Sequence, residues 1–382
     1  MTLYLLVFNQ MANAGQILSS PSRAAINGKN VQFVIVCPFD AFAGSQASAA
    51  CLYSVLCDAD TRSDPIMSVG FGGNGFLSRI NKAQIFARTS SSLLRKIAYP
   101  FWLVVAQFQM FFHIAAGRHI WLNTIHALPL GLVPALFAPT RIFVHIHEGL
   151  VPGFMLVLAR LLQRLGVSII CVSAAQMKKL RLYSSFILQN MVRVAPDPIS
   201  LDIANRVLFV GEPTQAKGFD LFVSVANASE GLPVEFHAFL NKEVNKDFLE
   251  GIIMPSNLCL HHNVTDPREI FKNGLLYLQL SDTSLIFETF SISSAEAICF
   301  GIPVVTGGAE AVSEVCGPCL VGSIPSRDPH EFAKLISGYV RSPESAIAYQ
   351  QLCRERARLF GAALFRQRLS KIVFCSTGLM LF

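Results

Sequence analysis

The sequence predicts an α/β fold made of two doubly wound domains, each with a parallel sheet between layers of helices. Apolar runs of strand length, rich in β-branched and aromatic residues, recur between segments of helix length. These runs do not alternate apolar with polar residues, as expected for parallel strands that are covered on both faces. At 382 residues the chain is long enough for two domains of ordinary size. The regular alternation of strand and helix then indicates parallel sheets.

Ten apolar runs are predicted to be strands. Those in the first half are 31–39, 65–71, 119–125, 141–147 and 167–173. Those in the second half are 206–211, 234–240, 258–264, 275–281 and 301–307. The segment AGSQASAACLYSVL after Phe39 is typical of a glycine loop that opens a helix, so the first sheet is expected to start at Val31. The alternative is that LYLLVF, near the start of the chain, forms the first strand.

A domain boundary is predicted near residues 191–206, where Pro196 and Pro198 lie close together. The charge balance also changes sign there. Residues 1–195 contain 16 Lys and Arg against 5 Asp and Glu, whereas residues 196–382 contain 15 against 20. We therefore expect a first domain over 31–195, a second over 196–372 and a tail over 373–382, with 1–30 as an extension or first strand.

The composition, with 52% hydrophobic and 15% charged residues, excludes a disordered chain. The longest apolar stretch, 101–117, contains Gln107, Gln109 and His113 and is short for a span, so a buried or interfacial helix is favoured over a membrane span. No signal peptide is expected, because the first apolar run is short and no basic residue precedes it. Ten cysteines, almost all without metal or disulfide spacing, are typical of a reduced, cytoplasmic protein.

A basic segment lies in the first half of the chain. No Asp or Glu occurs between Asp64 and Glu148, whereas seven basic residues do: Arg79, Lys82, Arg88, Arg95, Lys96, Arg118 and Arg141. A basic and apolar surface attracts anionic lipid headgroups or an anionic acceptor, so we expect the protein to be peripheral to the inner face of a membrane. The alternative is a solvated face with acidic partners from elsewhere in the fold. Nucleic acid is not expected as a partner, since no stacking motif or reading helix accompanies the charge.

Two short motifs are interpreted as structural. The run GFGGNG (70–75) fits the dinucleotide-binding pattern, but no acidic residue follows it until Glu148, and that chemistry needs an acid about 20 residues on. The run CGPC (316–319) is the redox tetrapeptide of thioredoxin-like proteins, where it opens a helix. Here it lies late in the chain, where a loop that leads into a short strand is expected.

The densest motif lies between Leu275 and Ser323. It contains a strand that ends at Ser281, the acids Glu288 and Glu296, the run EAICFGIPVV from Glu296, the pair Gly307-Gly308, and Glu314. Upstream, RVLFVGEPTQAKGFDLFVSV carries Lys217-Gly218. These residues resemble the retaining GT-B glycosyltransferases of the GT4 family, over roughly residues 32–372 and most strongly over 206–323. The resemblance implies two Rossmann-like domains with an inter-domain cleft.

The resemblance also implies a site for a nucleotide-diphosphate sugar donor in the second domain. A helix that starts near Ser293 and Ser294, capped by either hydroxyl, would present its amides to a diphosphate, and Lys217 would add positive charge. Glu296 is expected to bind the ribose hydroxyls and Glu288 the donor sugar. The alternative is that both acids cap or pair within the core. The implied site residues are Gly211, Lys217, Gly218, Glu288, Ser291, Ile292, Ser293 and Glu296.

In the first domain the run VHIHEG (144–149) ends a strand, where ligands bind in such sheets. His147 matches the family's histidine near the transferred sugar, so a catalytic role is implied; the alternative is a structural histidine. His145 is expected to point away from it. Glu148, Gly44 and Ser45 are assigned to an acceptor or phosphate loop, in which Gly44 lets the backbone approach a ligand.

The implied reaction is sugar transfer to an acceptor hydroxyl with retained configuration, in cell-surface polysaccharide or glycolipid biosynthesis. The acceptor is expected to be a saccharide or a lipid-linked molecule, and no metal or other cofactor is expected. The alternatives are a non-catalytic GT-B module that binds a membrane or a partner enzyme, and a GT-B nucleotide-sugar epimerase. Three departures from the family bear on activity: Glu212 replaces its Arg, Ser291 its Gly, and Pro196-Asp197-Pro198 its Pro-Asn-Gly turn.

Overall fold

The computed structural model describes residues 31–40, 44–57, 64–72, 75–80, 83–89, 91–183, 185–192, 205–244, 254–264, 266–379 and 381. The alternatives for residues 1–30 and the turn at 196–198 therefore lie outside the described residues. The described chain forms two units. The first contains the residues up to Met191 together with the C-terminal segment from Ala362, and the second runs from Val192 to Gly361.

The first unit contains a parallel sheet with the strand order β3-β2-β1-β4-β5-β6-β7. The strands are β1 (Phe33–Phe39), β2 (Ile66–Phe71), β3 (Gln84–Ala87), β4 (His119–Leu122), β5 (Ile142–Ile146), β6 (Ser168–Cys171) and β7 (Phe186–Ile187). The α-helices are α1 (Gly44–Cys57), α2 (Ser92–Ala115), α3 (Leu132–Ala135), α4 (Gly153–Arg164) and α5 (Ala174–Leu180), and α12 (Ala362–Thr377) returns from the end of the chain.

One face of this sheet is covered by α2, the 3-10 segment Ile125–Gly131 and α4. Their inward residues share one core with Val34, Ile120 and Val144 of the strands. Helix α2 begins after Ser91, whose hydroxyl accepts a hydrogen bond from the Leu94 amide at 3.3 Å, a capping interaction that ends the preceding loop. Its buried residues recur every four positions, which is the spacing of one helical face: Trp102, Ala106, Met110 and Ile114.

The second unit contains a parallel sheet with the strand order β10-β9-β8-β11-β12-β13. The strands are β8 (Arg206–Gly211), β9 (Glu235–Leu240), β10 (Leu258–His262), β11 (Gly274–Gln279), β12 (Val304–Thr306) and β13 (Leu320–Ser323). The α-helices are α6 (Phe219–Ala228), α7 (Pro267–Phe271), α8 (Ile292–Cys299), α9 (Glu310–Cys316), α10 (Pro329–Val340) and α11 (Pro343–Ala357).

The predicted α/β fold with two doubly wound parallel sheets is confirmed. Each of the ten predicted runs contains a strand. Two strands at the sheet edges, β3 and β7, escape prediction because they are short and only half-buried, so they lack a long apolar run. Residues 362–372, assigned above to the second domain, belong to α12 in the first unit, where Ser376 hydrogen-bonds Ser168 (Oγ to Oγ, 2.6 Å) and Arg368 Nη1 donates to Gln189 Oε1 at 2.9 Å.

Gly70 and Gly72 of the GFGGNG run allow close backbone approach in the first sheet. A Cβ at Gly70 would lie 2.5 Å from the Pro38 carbonyl oxygen, and one at Gly72, whose φ is +149°, would lie 2.5 Å from Asp40 Cβ. The Asp40 carboxylate then accepts hydrogen bonds from the amides of Gly75 at 2.9 Å and Leu77 at 2.8 Å. These contacts give the motif a structural role in joining β1 to β2.

The CGPC run also has a structural setting. Cys316 is the last residue of α9, and Cys319 ends the 3-10 turn that leads into β13, as the sequence predicts. Both thiols are fully buried, and burial raises the pKa of Cys316. A redox thiolate is favoured at the start of a helix, whereas Cys316 lies at the opposite end, where the helix dipole disfavours negative charge.

Candidate active site

The order of the second sheet reverses between β8 and β11, which are neighbouring parallel strands. Ligands of open α/β sheets bind beyond the carboxyl ends of the strands at such a reversal. Lys217 and Gly218 follow β8, whereas Ser281 and Glu288 follow β11. The topology therefore brings the segments that carry the sequence motif to one edge of the sheet.

Glu288 joins these segments. Its Oε1 atom accepts hydrogen bonds from Lys217 Nζ at 2.5 Å and from Ser281 Oγ at 2.7 Å, and Gln279 Nε2 donates to Ser281 Oγ at 2.8 Å. The side chain of Lys217 is 40% exposed and that of Glu288 is 12% exposed. The Glu288 carboxylate is thus held in place by the Ser281 hydroxyl and the Lys217 ammonium group, and the ammonium group remains accessible to solvent.

The Lys217-Gly218 turn packs closely against the chain at the end of β11. Thr214 caps the 3-10 turn Gln215–Lys217 by accepting from the Lys217 amide at 3.3 Å. Gly218 follows with a φ of +78°, and a Cβ there would lie 2.1 Å from the carbonyl oxygen of Leu280. Only glycine fits this conformation and this approach, so Gly218 sets the distance between Lys217 and Glu288.

Helix α8 begins at Ile292, earlier than predicted, and its cap is Ser291 and not Ser293 or Ser294. Ser291 Oγ accepts from the Ser294 amide at 3.2 Å and from the Ser294 hydroxyl at 2.7 Å. The physical reason is that the N-cap precedes the first helical residue and reaches two or three residues ahead, which Ser291 does. Ser291, at the position where the GT4 resemblance would place a glycine, thus stabilises the helix.

Two backbone amides remain for a ligand at this helix end. Within the described residues, the amides of Ile292 and Ser293 donate no hydrogen bond. Tyr277 positions this turn through a 2.7 Å hydrogen bond between its hydroxyl and Ser293 Oγ. Free amides and the positive end of the helix dipole are the features that bind phosphate groups.

Glu296 lies one turn into α8 and is only 8% exposed. Burial raises the pKa of its carboxyl group from 4.5 to about 8, because the charged form loses its hydration. At neutral pH this side chain is therefore mostly protonated and can both donate and accept a hydrogen bond. Its role at a ribose stays a prediction.

Glu212 does not leave an uncompensated negative charge at the end of β8. Its Oε1 atom lies 2.9 Å from Lys242 Nζ, at the end of the neighbouring strand β9. Both side chains are well exposed, so this pair contributes little to stability. The adjacent Gly211 has no close contact for an added Cβ, the nearest atom being Phe209 Cζ at 3.5 Å.

Arg327 is a charged residue of the site that the sequence analysis missed. Its Nη1 atom donates to the Leu280 carbonyl oxygen at 2.8 Å, and its Nε atom lies 3.5 Å from Asp282 Oδ2. It follows β13, far along the chain from Glu288, and no spacing motif links the two. It adds a second positive charge near the carboxyl end of β11.

In the first unit, His147 follows β5, and its ring contacts that of His145 in a tilted arrangement, with 4.1 Å between ring centroids. The prediction that His145 points away is therefore wrong, because residues two apart on a strand share a face. Burial, with a smaller effect of His145, lowers the pKa of His147 well below its usual range. The imidazole is neutral at pH 7, and its implied catalytic role stays a prediction.

Glu148 fixes the backbone around His147. Its Oε2 atom accepts from the amides of Ile125 and His147, each at 3.1 Å. Gln176 Nε2 holds the same loop by donating to the carbonyl oxygens of Ile146 at 3.1 Å and Glu148 at 2.9 Å. These bonds describe a positioning role; the predicted contact of Glu148 with an acceptor or phosphate is not tested by them.

Gly44 and Ser45 are the first two residues of α1, after β1. Asn123 Nδ2, beyond the end of β4, donates to the Ser45 carbonyl oxygen at 2.7 Å, and Ser45 Oγ donates to Gln46 Oε1 at 2.9 Å. β1 and β4 are the strands between which the order of the first sheet reverses. The position suits a ligand loop, and the assignment of these residues to the acceptor or phosphate stays a prediction.

No cluster of three or more His, Cys, Asp or Glu in the described part of the chain could hold a metal ion. The sequence matches no family model, and it matches no curated protein.

The fold is similar to that of solved glycosyltransferases. HepE from Anabaena, in complex with UDP and glucose, aligns with a TM-score of 0.68 at 14% identity, over 90% of this chain and 100% of that chain. WaaG, a glycosyltransferase involved in lipopolysaccharide biosynthesis, aligns with a TM-score of 0.60 at 14% identity, over 91% and 100%. TarM from S. aureus, in complex with Fondaparinux, alpha-GlcNAc-glycerol and UDP, aligns with a TM-score of 0.56 at 15% identity, over 71% and 59%. The likeness shows the GT-B fold.

Proposed function

We propose that the protein is a retaining glycosyltransferase of GT4 type that moves a sugar from a nucleotide-diphosphate sugar to an acceptor hydroxyl. The observation that carries the proposal is the group of charges and free amides at the reversal of the second sheet. It comprises the Lys217–Glu288 pair and the amides of Ile292 and Ser293. This is the chemistry that a diphosphate and a sugar need: donors for phosphate oxygens and a carboxylate for sugar hydroxyls.

The diphosphate is proposed to bind at the start of α8. The amides of Ile292 and Ser293 supply donors, and the helix dipole favours negative charge. Lys217 and Arg327, each of which lies next to a carboxylate, add positively charged donors. These groups would also stabilise the charge that develops on the departing nucleoside diphosphate during transfer. No metal is required in this proposal, because the positive groups take over the charge compensation.

The donor sugar is proposed to bind Glu288, and the ribose to bind Glu296. The Glu288 carboxylate has one oxygen, Oε1, held by Ser281 and Lys217, which orients the group. Glu296, protonated at neutral pH, would exchange hydrogen bonds with ribose hydroxyls. Because HepE is solved in complexes with UDP and UDP-glucose, uridine is the first base to test.

The acceptor is proposed to be a saccharide or a lipid-linked molecule, in cell-surface polysaccharide or glycolipid biosynthesis. The support is the fold likeness to WaaG, which acts in lipopolysaccharide biosynthesis, and to TarM, which is solved with a saccharide and a glycosylated glycerol.

One observation favours a non-catalytic module as the second candidate: Glu288 already neutralises Lys217. If that pair is permanent, the ammonium group is not free for a phosphate.

An epimerase would use the same donor site, and only its products would differ from those of a transferase.

The experiment is thermal stabilisation by UDP, GDP, ADP and their sugars, compared between the wild type and Lys217→Met. Lys242→Met is a matched control, since Lys242 forms a similar ion pair with Glu212 at the next strand end. We expect one nucleotide to stabilise the wild type and Lys242→Met, and to stabilise Lys217→Met much less.

Incubation with the labelled sugar donor then separates the candidates. Sugar transfer or slow sugar release supports the transferase, a nucleotide-linked epimer supports the epimerase, and binding with neither product supports the non-catalytic module. If no nucleotide stabilises the wild type, the donor site itself is refuted.

A further inference from the structure

The outer side of α2 is a continuous apolar stripe. Ile97, Phe101, Val104, Phe108 and Phe112 follow one another at helical spacing and are 57–68% exposed. The opposite side of the helix is packed into the core through Trp102 and Met110. The helix is thus apolar on both sides, whereas a helix that faces water is polar on its outer side.

The stripe continues onto the neighbouring segments of the same helical layer. Phe137, just after α3, is 65% exposed and its ring lies 5.2 Å from that of Phe111 in α2. On α4, Phe154, Val157 and Leu161 recur at helical spacing with 68%, 64% and 48% exposure. Since α2, Ile125–Gly131 and α4 cover one face of the sheet, these residues lie on the outer side of one layer. We call them the apolar face: Ile97, Phe101, Val104, Phe108, Phe112, Leu136, Phe137, Phe154, Val157 and Leu161.

The segment of the chain that carries the apolar face has an almost entirely positive charge. Residues 65–196 contain 13 Lys and Arg but a single acid, Glu148. The carboxylate of that acid is engaged by the backbone amides of Ile125 and His147. Lys96 in α2 and Arg164 in α4 are exposed next to the stripes. An apolar surface next to exposed basic residues, in a segment whose one acid is engaged by backbone amides, is complementary to an anionic lipid surface.

From these observations we propose that the apolar face docks onto the surface of an anionic lipid bilayer, with its aromatic and aliphatic side chains in the headgroup region and its basic residues on lipid phosphates. A second copy of the chain is a poorer occupant, because a symmetric pairing would bring the two basic borders together. This interaction is independent of the proposed donor site, whose residues all lie in the second unit.

Docking fits the structure better than a membrane span. By length and composition, Lys96–Ala115 within α2 could cross a membrane, with a mean hydropathy of 1.3. Yet Trp102, Ala106, Met110 and Ile114 belong to the core of the first sheet, and Gln107 Nε2 donates to the Pro129 carbonyl oxygen at 2.5 Å. A helix that crossed the bilayer would have to leave this core.

The experiment is flotation of the full-length protein with vesicles of phosphatidylcholine, either alone or with about 30% phosphatidylglycerol to give the negative surface potential that attracts basic residues. The variant Phe101→Ser/Phe108→Ser weakens the apolar face. The control Leu285→Ser/Ile347→Ser removes two exposed apolar side chains of the second unit, 48% and 57% exposed. We expect the wild type and the control to float with anionic vesicles, the face variant to bind about tenfold less, and about 1 M NaCl to weaken binding.

Four outcomes would overturn the proposal. They are no flotation of the wild type, equal binding to neutral vesicles, equal binding by the face variant, and retention in the membrane after alkaline carbonate extraction, which would indicate a span. A wild-type dimer that the face variant converts to a monomer, without vesicle binding, would assign the face to a second copy instead. Thermal stabilisation by nucleotides, measured on the same preparations, shows whether the donor site is intact, so failure of one proposal is distinguishable from failure of the other.

Discussion

Lys217 Nζ lies 2.5 Å from Glu288 Oε1, and this ion pair joins the turn after β8 to the loop after β11. The sequence places the two residues 71 positions apart, and each is expected to bind a different part of the donor. In the structure they bind each other. In the proposed donor complex a diphosphate would therefore compete with Glu288 for Lys217, and the strength of the pair would become part of the binding free energy.

Glu288→Gln should separate the two roles. The neutral amide keeps the shape of the side chain but releases Lys217, so we expect the nucleoside diphosphate to bind equally well or a few-fold more tightly. Sugar transfer should fall by about 100-fold or more, if the carboxylate acts on the reacting sugar as proposed. Isothermal titration with UDP and a transfer assay measure the two effects. Weaker UDP binding in this variant would show that Glu288 supports the diphosphate site and does not compete with it.

Ser291 offers a test of the cap of α8. Its hydroxyl accepts two hydrogen bonds from Ser294 in a buried setting. Ser291→Ala should cost about 1 kcal/mol of unfolding free energy, whereas Ser291→Gly should cost only a few tenths because glycine is also a favourable N-cap. Chemical denaturation compares the two variants. Equal losses would show that the hydroxyl, and not the backbone conformation, determines the start of the helix.

Glu296 should make the stability of the second unit depend on pH. The pKa of its carboxyl group is about 8 in the folded protein against 4.5 in the unfolded chain, so the folded state binds the extra proton between these values. Stability is then highest below pH 4.5 with respect to this group, and falls as the pH rises towards 8, by up to about 1.4 kcal/mol per pH unit. The Glu296→Gln variant has no carboxyl group at this position, so its free energy of unfolding should lack this dependence on pH.

The measurement is the difference in unfolding free energy between Glu296→Gln and the wild type at pH 6, 7 and 8. It should be followed by circular dichroism or calorimetry, because both tryptophans, Trp102 and Trp121, lie in the first unit and their fluorescence reports on that unit. A difference that stays constant with pH would mean that Glu296 is ionised in the folded protein, with a positive group close enough to hold its charge.

The fold could be predicted because the patterns that specify most of its strands lie within short stretches of the sequence. Runs such as RVLFVG and LLYLQLS are mostly apolar and do not alternate with polar residues, a pattern typical of strands covered on both faces. The short edge strands β3 and β7 do not need it, and the sequence analysis missed them. The helix α12 has an apolar side, but a helical pattern does not say which sheet it covers, so its place in the first unit was not predictable.

The site could be predicted only in part, for a similar reason. The motif assigned Glu288, Glu296 and Lys217 to one site. A sequence motif does not give the distances between side chains, however. The direct Lys217–Glu288 contact depends on Gly218 and the 3-10 turn. Arg327 reaches Leu280 from a distant part of the chain, which no spacing pattern reveals. The raised pKa of Glu296 follows from its burial in the folded protein, which no sequence motif reveals.

Gly218 and Gly338 allow the same substitution to be tested in two opposite settings of the second unit. A Cβ at Gly218 would lie 2.1 Å from the Leu280 carbonyl oxygen at a φ of +78°, whereas no atom lies within 4 Å of a Cβ at Gly338, which is inside α10. Gly218→Ala should destabilise the protein by more than about 2 kcal/mol, since both strain and displacement of the turn contribute. Gly338→Ala should stabilise it by about 0.5–1 kcal/mol, because alanine is the better helix former. Denaturation by urea gives both values, and UDP binding should be weakened only in Gly218→Ala, where the turn that carries Lys217 must move. A tolerated Gly218→Ala would mean that this turn has room to shift, and Gly218 would then not set the distance between Lys217 and Glu288.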